Sequence, residues 1–138
     1  MNDLSTEWDS LRPDQVLGPM RLTISPAANE RYWRAAGVDH PALRAGALYP
    51  PIAANLTILC FQKTCPDAMI QTRQRLQCHR VAQAGVELVT FGRVVARYEK
   101  RGREYVDIEV AVITTDAPDQ PLWTSWVTFT PTATLGVS

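Results

Sequence analysis

The stretch from Ile52 to Lys63 constrains this chain most. Ile52, Ala53, Ala54, Leu56, Ile58, Leu59, Cys60 and Phe61 put apolar side chains on every side of a helix. A helix without a polar face is expected to be buried on most sides, so the rest of the chain must supply a cover. Pro50-Pro51 opens this helix and Cys65-Pro66-Asp67 ends it. Leu59→Asp is therefore expected to place an unpaired charge in a core.

Strand patterns supply the cover. Met69 to Arg80, Val86 to Tyr98, Glu104 to Thr115 and Leu122 to Thr130 read as consecutive strands. The third alternates most clearly, with Val106, Ile108, Val110 and Val112 on one face and Asp107 and Glu109 on the other. Gly102 in Lys100-Arg101-Gly102-Arg103 suits a tight hairpin tip. Upstream, Val16 to Ile24 reads as a strand interrupted by Gly18-Pro19. Ser25-Pro26 starts a helix to about Ala36, with Tyr32 and Ala35 or Ala36 facing inward and Gly37 as its stop. The expected class is α+β: one antiparallel sheet wrapped around one apolar helix. The domain spans 16–131, after an arm at 1–15 pinned by Trp8 and Leu11 and before a tail at 132–138.

A chain of 138 residues suits one domain. Equal counts of 14 basic and 14 acidic residues remove the electrostatic reason to expect nucleic acid or an anionic membrane as partner. Cys60, Cys65 and Cys78 have no metal-ligand spacing, so no metal site is expected, and Cys60 and Cys78 read as buried thiols in a reducing compartment. The polar N-terminal stretch is not a signal peptide, and the apolar run near Ile52 to Phe61 is too short to span a bilayer. A cytoplasmic location is the resulting expectation.

Several segments resemble the MaoC-like and fatty-acid-synthase-type dehydratases, a family with the hotdog fold. They are Tyr32-Trp33-Arg34-Ala35-Ala36-Gly37-Val38-Asp39-His40-Pro41, then Leu48-Tyr49-Pro50-Pro51-Ile52, then His79 to Gly85, and Gly92 through Val106. Leu122-Trp123 and Phe129-Thr130 complete a match over about 16–131. The resemblance implies a hotdog domain acting on an acyl thioester carried by coenzyme A or by the phosphopantetheine of an acyl carrier protein, with no separate cofactor. It departs from the family at the catalytic Asp-x-Asn-Pro-x-His motif. Aligned on Pro41, the acid and base places hold Val38 and Leu43; aligned on Asp39, Arg44 stands at the histidine place.

Asp39 and His40 remain the candidate acid–base pair, against the reading of a loop-capping Asp and a solvent-facing His. The backbone N–H groups of Ile52, Ala53 and Ala54 are candidate donors to the thioester oxygen, since Pro50 and Pro51 have none. Asn55 is a candidate substrate contact inside the apolar helix. Arg93, Arg97, Arg101 and Arg103 are candidate grips on a carrier's phosphates. His79 reads as a half-buried structural residue. Of Trp123 and Trp126, one is expected in the core and one at a second subunit.

The leading functional expectation is a hydratase or dehydratase of enoyl or 3-hydroxyacyl thioesters. A non-catalytic acyl-binding subunit, whose partner chain supplies Asp and His, is the alternative. A hotdog thioesterase comes third, because Ile52 to Lys63 contains no carboxylate. A homodimer, or a heterodimer with another hotdog protein, would cover the open sheet edges.

Overall fold

A computed structural model describes residues 8–37, 40–41, 45–66 and 69–132. Five strands form one antiparallel sheet: β1 (Val16–Thr23), β2 (Met69–Cys78), β3 (Glu87–Lys100), β4 (Arg103–Thr114) and β5 (Trp123–Pro131), in the order β1-β3-β4-β5-β2. Two helices of eight or more residues accompany it, α1 (Pro26–Ala35) and α2 (Ile52–Thr64). This is the α+β hotdog arrangement expected from the strand order.

Helix α1 starts as its sequence dictates. Ser25 Oγ accepts from Ala28 N at 3.1 Å, and Pro26 occupies the first turn, where no N–H is needed. Its inner face differs from expectation. Asn29 and Trp33 are buried, whereas Tyr32, Ala35 and Ala36 are exposed. Trp33 carries a large ring and one donor, and both find partners within the fold.

Helix α2 packs on one face of the sheet. Ile52, Ala53, Leu56, Thr57, Cys60 and Phe61 are buried, a stripe of i, i+4 and i+8 spacing. Asn55, Leu59 and Gln62 lie on the opposite side and are exposed, Leu59 by 49%. Burial all round α2, expected from its apolarity, is therefore corrected to burial on one side.

Phe61 stacks on Phe129 with ring centroids 4.6 Å apart. One core cluster gathers Phe61, Val106, Ile108 and Phe129; the other gathers Leu48, Ile52, Leu56 and Trp123. The buried hydroxyl residues include Thr57, Thr90 and Ser125. The hydroxyls of Thr57 and Ser125 hydrogen-bond to each other, and Thr57 Oγ1 also donates to Ala53 O at 2.9 Å.

Strands β3 and β4 leave no room for a side chain at Gly92. A Cβ there would lie 2.1 Å from Glu109 O and 2.9 Å from Val110 Cα, both backbone atoms. Gly92→Ala is expected to cost about 2–3 kcal/mol in chemical denaturation, because neither strand has a flexible side chain to move aside. An unchanged midpoint would show that the ladder yields locally.

Trp8 and Leu11 are buried and hold the N-terminal segment to the sheet. Arg97 fastens it from below. Its guanidinium donates to Trp8 O at 2.7 Å, Leu11 O at 3.0 Å and Glu104 Oε1 at 3.1 Å. Arg97→Met should lower stability by about 1–3 kcal/mol, since it strips charge-assisted bonds from two carbonyls. Limited proteolysis should then cut near Trp8; a variant as resistant as the parent would refute the clamp.

Candidate functional site

The segment 45–49 between the helices is strapped from both sides. Asn29 Nδ2 and Trp33 Nε1 both donate to Ala47 O, at 2.8 and 2.9 Å. Asn29 Oδ1 accepts from Tyr49 N at 2.9 Å. On the other side Leu48 N donates to Ala82 O at 2.8 Å and Ala84 N to Gly46 O at 2.9 Å. These bonds fix the head of α2 against the segment that leaves β2.

Between them lies a cavity of about 270 Å³. Trp33, Leu48, Pro50, Val81, Ala82 and Trp123 form its mostly apolar wall, and Cys78, His79 and Arg80 line it as well. Trp123 is buried at 2% exposure, in the core as expected for one of the two tryptophans. Trp126 is half-buried on the outer sheet face, under the Arg75 guanidinium at 4.0 Å, and donates to Glu109 Oε2 at 2.8 Å.

His79 is exposed, not half-buried, and its Nε2 lies 2.9 Å from Thr124 Oγ1. Cys78, expected buried, is exposed at the cavity. Cys60 is buried, and loss of water around it pushes its thiol pKa up to about 11, against the opposing pull of Lys63. Its sulfur is thus a core atom with no thiolate at neutral pH.

His40 is exposed and stacks on Trp33, with centroids 6.2 Å apart and planes 14° from parallel. Trp33 in turn meets Tyr49 edge-on at 5.0 Å. The His40 ring therefore rests on a residue that also lines the cavity. Asp39, its proposed companion, lies outside the described residues, as do Val38, Leu43 and Arg44.

The head of α2 differs from expectation. Ile52 N donates to Tyr49 O at 3.0 Å, Ala53 N to Pro50 O at 3.0 Å and Ala54 N to Pro51 O at 3.1 Å. The chain tightens into 3₁₀-type turns over the two prolines, so these N–H groups already have acceptors. They are not the free donors that a thioester oxygen requires. Asn55 lies on the exposed side of α2.

The arginines separate. Arg93 sits on the outer face, 3.2 Å from Asp14 and 3.7 Å from Glu109. Arg97 is taken up by the clamp described above, half-buried against the N-terminal segment and Glu104. Arg101 and Arg103 are exposed at the β3–β4 hairpin tip, at the opposite end of the sheet from the cavity. Trp33, Leu48 and Ala82 stand in segments that carry the family resemblance, but none of them was a candidate site residue, because a wall made of residues far apart in the chain has no local motif. Among the described residues no three His, Cys, Asp or Glu gather as a metal site, and no helix is long and apolar enough to cross a membrane.

No family model matches the sequence. No curated protein matches it in sequence. Solved structures do match in shape. The (R)-hydratase from A. caviae involved in PHA biosynthesis is similar at a TM-score of 0.74 and 14% identity, over 88% of this chain and 98% of that one. The HadBC (3R-hydroxyacyl-ACP dehydratase) complex from Mycobacterium tuberculosis gives 0.72 and 16%, over 86% and 96%. The MaoC-like dehydratase from Rhodospirillum rubrum gives 0.71 and 16%, over 90% and 94%. The chain is a hotdog domain with the backbone architecture of the MaoC-like dehydratases and (R)-hydratases.

Proposed function

We propose that this chain binds an acyl thioester as one subunit of an enoyl-thioester hydratase or 3-hydroxyacyl-thioester dehydratase, with a second hotdog chain supplying the acid–base pair. The acyl group enters the cavity between Trp33, the head of α2 and Trp123. The observation that carries the partner-dependent form is the closed head of α2, where Ile52, Ala53 and Ala54 all donate within the chain. Hydration of an enoyl thioester builds negative charge on the carbonyl oxygen, and without donors aimed at that oxygen the barrier stays high. Partnership also fits the fold, because β1 and β2 are unpaired edges of the sheet. HadBC is a complex, which supports the same reading by likeness.

A second reading keeps the chemistry in this chain. It is favoured by the stacking of His40 on Trp33, beside the cavity. There His40 would act as the base and Asp39 would adjust its charge. Co-purification from the native host, followed by crotonyl-CoA hydration by the isolated chain and by the complex, separates the two. Turnover only in the complex supports the first. Turnover by the isolated chain that falls about a hundredfold in His40→Ala supports the second.

A further inference from the structure

We infer that Trp123 is a specificity-determining residue: it closes the cavity at the head of α2 and limits this chain to short and medium acyl groups, of up to about eight carbons. The inference deepens the acyl-thioester reading, and rests on it for the identity of the ligand.

Exposure divides the cavity wall into a floor and a rim. Trp33, Ala47, Leu48, Ala82 and Trp123 are each at most 6% exposed. Cys78, His79, Arg80 and Val81 are exposed, Val81 by 71%. A ligand therefore enters past the end of β2 and stops against two indoles and a leucine. An apolar floor beneath a more polar rim suits a hydrocarbon tail with its polar head outside.

The interior behind that floor is already filled. Trp123 opens β5, and the residues that follow it on the buried face are Ser125, Val127 and Phe129. Helix α2 meets this row step by step. Ile52 and Leu56 share a core cluster with Trp123, Thr57 and Ser125 hydrogen-bond through their hydroxyls, and Phe61 stacks on Phe129. A tail that ran on along α2 would displace the Trp123 ring and then part the Thr57–Ser125 pair. That would leave a buried hydroxyl without its partner.

The floor is also held still. Trp33 Nε1 donates to Ala47 O at 2.9 Å, and its ring meets Tyr49 edge-on. Leu48 N donates to Ala82 O at 2.8 Å. Closely packed side chains tied in this way do not yield to one more methylene, so the limit on chain length is a step.

Volume sets where the step falls. A dry cavity of roughly 150 Å³ takes benzene, or about 25 Å³ for each carbon. At that packing the 270 Å³ here holds about ten heavy atoms. The thioester oxygen and sulfur occupy two of these places, which leaves about eight for acyl carbons.

The test is calorimetry on the full chain with saturated acyl-pantetheines, from butanoyl to dodecanoyl. Saturated thioesters are not hydrated, so binding is read without turnover. In the parent, affinity should rise about fourfold with each methylene up to octanoyl and then stop rising. Trp123→Leu removes the indole and should carry the rise on to dodecanoyl. Ala82→Leu adds about three carbons to the floor and should bring the break back to hexanoyl. Its new side chain grows into the cavity and leaves the Leu48–Ala82 backbone bond in place, so it decides the question even where Trp123→Leu fails to fold.

An affinity that climbs without a break to dodecanoyl in the parent would overturn the floor. So would a break left at octanoyl by Ala82→Leu or by a folded Trp123→Leu. In both cases the thioesters still bind, and the acyl reading stands without the length limit. A parent that binds none of the thioesters would refute the acyl reading and the inference with it.

Discussion

Leu56→Asp is expected to yield no folded protein, whereas Leu59→Asp, three residues on, should express and melt within about 1 kcal/mol of the parent. Both are leucines of the same apolar helix, and only the face differs. Leu56 is 3% exposed in the cluster with Ile52 and Trp123, and Leu59 is 49% exposed. A carboxylate at position 56 would have to ionise in a dry core or be buried neutral without a partner, and either costs several kcal/mol. A domain of this size has only about 5–15 kcal/mol to lose. At position 59 water solvates the new charge. Soluble yield and thermal melting of the two variants decide the matter. Equal collapse would mean that a partner covers the Leu59 face in the assembled protein.

That pair of leucines marks where the sequence stops being informative. Composition says that α2 is apolar, but it cannot say how many sides are covered. A single five-stranded sheet reaches only one side, which leaves Asn55, Leu59 and Gln62 outside. The strands themselves were legible, because alternation at Val106, Ile108, Val110 and Val112 reflects a sheet with one dry face.

Helix α1 was legible in extent but not in facing. Asn29 is buried because its amide ties Ala47 O to Tyr49 N, a bond made with residues 18 and 20 positions away. Arg97 read as a surface cation and is a clamp, because its acceptors are carbonyls in a segment more than eighty residues earlier. The same limit applies to the cavity. Its wall joins α1, the head of α2, the end of β2 and the start of β5, and no window of sequence contains them together.

Filling that cavity is the decisive test of the acyl reading. Cys78→Trp is expected to weaken crotonyl-thioester binding about a hundredfold while leaving folding nearly unchanged. Cys78 is exposed and lines the cavity without contributing to either core cluster, so a larger ring there grows into open space. The indole would compete for the volume between Trp33, Leu48 and Trp123 that the acyl chain is proposed to occupy. Each buried carbon of that chain contributes roughly 0.8 kcal/mol, so excluding three of them costs about 2.4 kcal/mol. Tenfold in affinity corresponds to about 1.4 kcal/mol, which places the loss between tenfold and a hundredfold from burial alone, and displaced contacts along the pantetheine add to it. Cys78→Ser keeps the space and should bind as the parent does, which separates filling from any role of the thiol. Binding by calorimetry and melting by circular dichroism should be read on both variants. A folded Cys78→Trp that binds crotonyl-pantetheine with parental affinity would move the acyl group elsewhere on the domain.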